Sequence, residues 1–159
     1  MEHIISVLVE NKSGVLARVA GLFSARGYNI ESLSVAPTTD STISMITVVT
    51  SGDELIIEQI MKQLNKVIEV LKVIDLTEED HLDRETALIK ILAKQAHRDE
   101  VMRIAQIFRA NIVDSTPQTY TLEISGDAGK IQAAINLLKP MGIKEIVRTG
   151  RIAIARESL

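Results

Sequence analysis

Cysteine and tryptophan are absent from this 159-residue chain, and two tyrosines and two phenylalanines make up its 3% of aromatic residues. Without cysteine there is no disulfide, no thiol nucleophile and no thiolate metal site. Any chemistry therefore rests on oxygen and nitrogen groups. An excess of positive charge is also missing: 18 basic and 21 acidic side chains give a net charge of -3, which offers little to nucleic-acid phosphates or an anionic membrane surface. No apolar run approaches the roughly 20 residues of a spanning helix, and the first residues read as a strand rather than a signal sequence. A cytoplasmic setting is expected. Neither GxGxxG nor GxxxxGK[ST] occurs, so no phosphate cradle is legible.

What the chain does have is 46% hydrophobic residues, mostly Ile, Val, Leu and Ala, a composition suited to sheets packed on helices. β-Branched runs at His3 to Val9, Ile30 to Ala36, Ile43 to Thr50 and Val67 to Ile74 are separated by two segments with helical spacing. In the first of these, Val15, Val19, Leu22 and Phe23 form one apolar face, with Gly27 as a C-terminal cap. In the second, Asp53 is the expected N-cap of a stripe formed by Ile57, Ile60, Met61 and Leu64. The order is βαββαβ.

After Ile74, "DLTEEDHLDRE" breaks the apolar pattern and reads as a solvated linker, and from Thr86 the same order begins again. Helices are expected at Arg98 to Ala110 and Asp127 to Leu138, with strands to Ala93, near Ile112, at Thr119 to Ile124 and from Ile143 onward. "LARVAGLF" at Leu16 to Phe23 lies over "VMRIAQIF" at Val101 to Phe108, and "SGD" at Ser51 to Asp53 recurs at Ser125 to Asp127. Two tandem ferredoxin-like βαββαβ domains of the α+β class follow, with expected bounds 1–76 and 85–159 around a linker at 77–84. A sheet with both helices on one face leaves the other needing cover, which favours an oligomer. Ile152 and Ile154 fit either a last strand or an interface.

The chemistry concentrates in "ENKSGVL", where a strand runs into a polar loop that opens a helix. The N–H groups of a first helical turn lack acceptors and carry the positive end of the helix dipole, so Ser13, Gly14, Val15 and Leu16 can present donors to an anion. Asn11 adds an amide carbonyl that can accept from an ammonium group, and Asn29 heads the next strand. Carboxylate donors beside ammonium acceptors point to a free amino acid. An ordinary capping turn, with Ser13 as N-cap, remains the competing explanation. In the second repeat the positions of Asn11 and Gly14 are held by Ala96 and Asp99, and an acidic residue there would repel a carboxylate.

"ENKSGVLARVAGLFSARGYNIESLSVAPT", "GDELIIEQIMKQLNKVIEV" and "RETALIKI" at Arg84 to Ile91 closely resemble the small regulatory subunit of acetohydroxyacid synthase, also called acetolactate synthase. The resemblance spans essentially the whole chain, and its N-terminal half looks like an ACT domain, a module that binds amino acids at dimer interfaces. It implies a homodimer that activates a separate catalytic subunit and makes it sensitive to feedback by valine. It also implies effector roles for Asn11, Gly14 and Asn29, with Leu16 and Ile30 flanking and Asn29 acting across the interface. Thiamine diphosphate, magnesium and FAD are implied on the catalytic partner, and no cofactor on this chain.

Other chemistries find less support. His3, His81 and His97 are too scattered for a metal set and read as surface or capping residues. Ser13 and Ser24 lack a matching histidine, so the chain is expected not to be an enzyme. Arg18 and Arg26 read as solvated charge, and the few aromatics do not make an RNA-stacking platform. A free-standing amino-acid sensor acting on another partner is the alternative function. An acylphosphatase-like hydrolase would need an arginine in the loop, which "ENKSG" lacks.

Overall fold

Alternation along the first strand, Glu2–Glu10 (β1), sets the architecture: Ile5, Val7 and Val9 enter one core while Ile4 enters another. The computed structural model describes residues 1–157. The chain divides into a first unit, Met1–Leu82 with the chain from Arg151 onward, and a second, Asp83–Gly150.

In the first unit β1 is followed by Val15–Ala25 (α1), Ile30–Pro37 (β2), Ile43–Ser51 (β3), Glu54–Leu64 (α2) and Val70–Asp75 (β4). The sheet order is β2-β3-β1-β4 and all its pairs are antiparallel, so β2 and β4 are edges. Both helices lie on one face, because Val15, Val19 and Phe23 of α1 and Ile57, Ile60 and Leu64 of α2 share a cluster with Ile5, Val7, Ile46 and Val48. Phe23 is fully buried there.

Local signals in the sequence account for the helix ends. Gly27 has a φ of 73°, and the N–H groups of Gly27 and Tyr28 donate to Ser24 O and Phe23 O, a Schellman closure that needs a residue tolerant of the left-handed region. Asp53 Oδ1 accepts from Leu55 N at 2.8 Å and caps α2 as expected. The second unit repeats the device, with Asp127 Oδ1 accepting from Lys130 N at 2.8 Å.

The second unit holds His81–Leu92 (β5, whose first two residues fall in the first unit), Arg98–Ile107 (α3), Asn111–Ser115 (β6), Thr119–Gly126 (β7), Ala128–Leu138 (α4) and Ile143–Arg148 (β8). Its antiparallel order β6-β7-β5-β8 reproduces that of the first. The βαββαβ order thus occurs twice.

Three expectations change. The charged segment is shorter than 77–84, because β5 begins at His81. Residues from 151 onward belong to the first unit rather than to a domain at 85–159. The reason is packing: Ala153 and Ala155 of Ile152–Ala155 (β9) lie against Ile4, Val49 and Leu76 on the sheet face away from the helices, while Ile152 and Ile154 point outward. Arg151 pairs with Glu2 and Arg156 with Asp80, which ties down both ends of this strand. Finally, His3 is not a surface residue. It is buried beside Asp75, with Nδ1 3.4 Å from Oδ2, because its place in β1 puts its side chain opposite Thr50 on the covered face.

Candidate functional site

The loop Asn11–Gly14 leaves β1 and enters α1 without a side-chain cap. Gly14 itself occupies the N-cap position in the left-handed region (φ 84°, ψ -10°), and Ser13 makes no capping bond, so the turn is not the serine-capped one that the sequence also allowed. Arg18 N donates to Gly14 O and Val15 N reaches Lys12 O at 3.4 Å. The N–H groups of Ser13, Gly14, Leu16 and Ala17 find no acceptor among the described residues. Four donors therefore face outward at the positive end of α1.

Asn11 is held from two sides. Its N–H donates to Thr42 O at 2.7 Å and its side-chain Nδ2 to Ser41 O at 3.0 Å, which turns Oδ1 outward as an acceptor. The β2–β3 turn that supplies these carbonyls is itself closed: Asp40 Oδ1 accepts from Thr42 N at 2.9 Å and Thr42 Oγ1 at 2.7 Å. Those bonds, to the hydroxyl first, hold the Asp40 carboxyl below its ordinary range. Ser41 and Thr42 were not singled out from the sequence, although Asp40-Ser41-Thr42 is an Asx-turn signature that pointed to them.

Charges around the loop come in matched pairs. Lys12 Nζ lies 2.9 Å from Glu10 Oε2, and Arg18 Nη2 lies 2.5 Å from Glu69 Oε1. The Glu10 hydrogen bond and charge raise the Lys12 pKa. Glu69 is held below its usual range chiefly by its own backbone N–H; desolvation is the next influence and opposes this, and the Arg18 hydrogen bond and charge and the Lys12 charge each add a lesser lowering effect. Its Oε2 is buried without a hydrogen-bond partner. With two carboxylates offset by two cations, the open N–H groups decide which charge this end of the helix prefers. They prefer an anion.

The seven residues singled out from the sequence separate into two groups. Asn11, Ser13, Gly14 and Leu16 are exposed together at one end of the sheet, Leu16 presenting an apolar side chain 39% exposed. Val15 lies beside them in sequence, but its side chain is buried in the core, as its place on the apolar helix face implies, and its N–H turns to Lys12 O, so it is not among the open donors expected of it. Asn29 and Ile30 sit at the opposite end. Ile30 pairs with Thr50, which pairs with His3, whereas Asn11 follows Glu10, which pairs with Ile43. From His3 to Glu10 along β1 is about 23 Å at the usual rise of a strand. A single first unit therefore holds two candidate half-sites and does not join them.

The second unit lacks the first half-site. The α3 N-cap is His97, and Asp99 and Glu100 occupy the first turn. It does carry an asparagine, Asn111, at the head of β6 where the first unit has Asn29. The described residues contain no group of three or more His, Asp or Glu placed to hold a metal ion. Among them no helix is long and apolar enough to cross a membrane.

Comparisons with known proteins agree over both units. Residues 5–72 match the family described as the AHAS small subunit-like ACT domain, and residues 84–157 match the family described as the small subunit of acetolactate synthase. The chain is 53% identical to the acetolactate synthase small subunit of Aquifex aeolicus over 98% of its length and 82% of the relative's. It is 49% identical to the isozyme 3 small subunit of Escherichia coli over 98% and 96% of the two chains. A crystal structure of the small subunit from Thermotoga maritima superposes with a TM-score of 0.89 at 39% identity, covering 100% of this chain and 99% of that one.

Proposed function

The chain belongs to the family of acetolactate synthase small subunits, which makes its role regulatory and its partner a catalytic large subunit, and from that premise we propose how it regulates. It is a cytoplasmic, non-catalytic homodimer that activates the catalytic subunit and binds valine as a feedback inhibitor. The thiamine diphosphate, magnesium and FAD of the reaction belong to the catalytic partner.

One observation carries the effector reading: uncapped N–H donors at Gly14 lie beside an Asn11 side chain whose amide nitrogen is already engaged, leaving its oxygen outward. An α-carboxylate fits the donors and an α-ammonium fits Oδ1. Leu16 offers apolar surface for an isopropyl group, each buried methylene-sized group contributing about 0.8 kcal/mol. Discrimination by one methyl or methylene stays within about 1–3 kcal/mol, so leucine and isoleucine bind more weakly than valine rather than not at all.

The separation of the half-sites calls for a second copy. β2 is an edge strand, and two such edges paired antiparallel about a two-fold axis reverse their ends. Asn29 and Ile30 of one subunit then approach the Asn11–Gly14 loop of the other, and valine bridges the two. A dimer arrangement that valine prefers by about 1.4 kcal/mol changes the partner's response tenfold.

The test is acetolactate formation by the matching catalytic subunit, alone and with this chain, across a valine titration. Activation that valine reverses supports the proposal. An unchanged rate without valine removes the activating role and favours a sensor acting on another partner.

A further inference from the structure

The segment that carries Asn29 is held by more contacts than a strand start needs. Tyr28 Oη accepts from Asp53 N at 2.9 Å and donates to Asp53 O at 3.2 Å, so one hydroxyl engages both main-chain groups of the α2 N-cap residue. Its ring lies where a Cβ at residue 52 would be, and only a glycine leaves that space open. Thr50, fully buried, donates its hydroxyl to Asn29 O at 2.8 Å. On the other side of Tyr28 is the Schellman closure at Gly27. The backbone of Asn29 is thus fixed from before, after and beneath, while its side chain is exposed.

The two repeats provide an internal comparison. In the second unit Arg109 stands at the place of Gly27, with Ala110 N donating to Ala105 O in the same closure, and Asn111 follows as Asn29 does. Yet the residue before that asparagine is Ala110, and the space over Gly126 is taken by the Lys130 side chain, whose Nζ donates to Ser125 O. Helix closure and asparagine are common to both units. The tyrosine clasp occurs only in the unit with open helix donors, so closing the helix does not require it.

We infer that Tyr28, seated over Gly52 and clasping Asp53, is a positioning residue that aims the Asn29 amide at the amino-acid effector. This rests on the effector reading of Asn29 given above. A side-chain amide that must meet a ligand across an interface gains affinity when its backbone is held before binding, because less ordering remains to be done. The clasp also joins the head of β2 to the start of α2, so bound effector restrains that helix.

The test uses the full chain, with valine binding followed by calorimetry, melting temperature measured in parallel, and the Asn29 side-chain amide followed by NMR. Tyr28→Phe keeps the ring and removes only the hydroxyl. Gly52→Ala keeps the hydroxyl and displaces the ring. Each is expected to weaken valine binding about tenfold and to shift or broaden the Asn29 amide signal without valine, with melting changed by only a few degrees. The double variant should bind no worse than the weaker single one, because both break the same clasp. If Asn29→Ala weakens binding while Tyr28→Phe and Gly52→Ala bind as wild type, the positioning role is overturned and the effector site stands. If Asn29→Ala itself binds valine as wild type, the effector reading of Asn29 fails, and the positioning role with it.

Discussion

Gly14→Asp separates the ligand site from the fold. A Cβ at Gly14 meets nothing within 4 Å, so the structural cost comes from the positive φ alone. For an L-residue in the left-handed region that cost is about 1–2 kcal/mol. A carboxylate at a helix N-terminus returns about 0.3–1 kcal/mol. The net loss of about 1 kcal/mol corresponds to a fall in melting temperature of roughly 4–8 °C for a unit of this size. Valine loses far more. Its carboxylate forfeits charge-assisted bonds to open N–H groups, about 1.5–3 kcal/mol each, and meets a like charge that at 4 Å and an effective dielectric of 20 opposes it by about 4 kcal/mol. We expect Kd to rise at least about 100-fold, equivalent to about 2.7 kcal/mol. Gly14→Ala carries the backbone cost without the charge and should weaken binding less than about tenfold. Calorimetric titration with valine and a thermal melt on each variant measure both quantities. Valine bound equally well by wild type and Gly14→Asp would refute the anion site. Equal losses in the two variants would assign the effect to backbone geometry instead.

Arg148→Met should leave the buried Glu85 carboxylate without its ion-pair partner and destabilise the second unit by about 2 kcal/mol, read from urea unfolding. Arg18→Met should move the Glu69 titration upward, but not fully to the ordinary carboxyl range, because its backbone bond remains; carbon-detected NMR across acidic pH measures this. In the wild type the depressed Glu69 pKa contributes stability that is fully present above the unfolded value near about 4.3. That contribution disappears as pH falls through the folded value, so Arg18→Met should show a shallower acid loss. Ala153→Asp should place a charge against Ile4, Val49 and Leu76, lowering the stability of the first unit by about 2 kcal/mol in a thermal melt.

The sequence by itself determined the βαββαβ order, its repetition and the helix ends at Gly27, Asp53 and Asp127. Each depends on residues within a few positions of one another, so spacing and capping chemistry reveal them directly. It also marked Asn11, Gly14 and Asn29 as candidates, since an amide or glycine beside a helix start carries its chemistry locally. Only the tertiary structure decided that Gly14 rather than Ser13 occupies the N-cap, because both fit the same tetrapeptide and the pull of Thr42 and Ser41 on Asn11 comes from 30 residues away. It buried His3 through strand pairing, packed Ala153 and Ala155 against Ile4, Val49 and Leu76 of the first unit, and put Asn29 at the far end from Asn11. Register is a relation between distant segments, and shifting it by one residue turns every side chain to the other face.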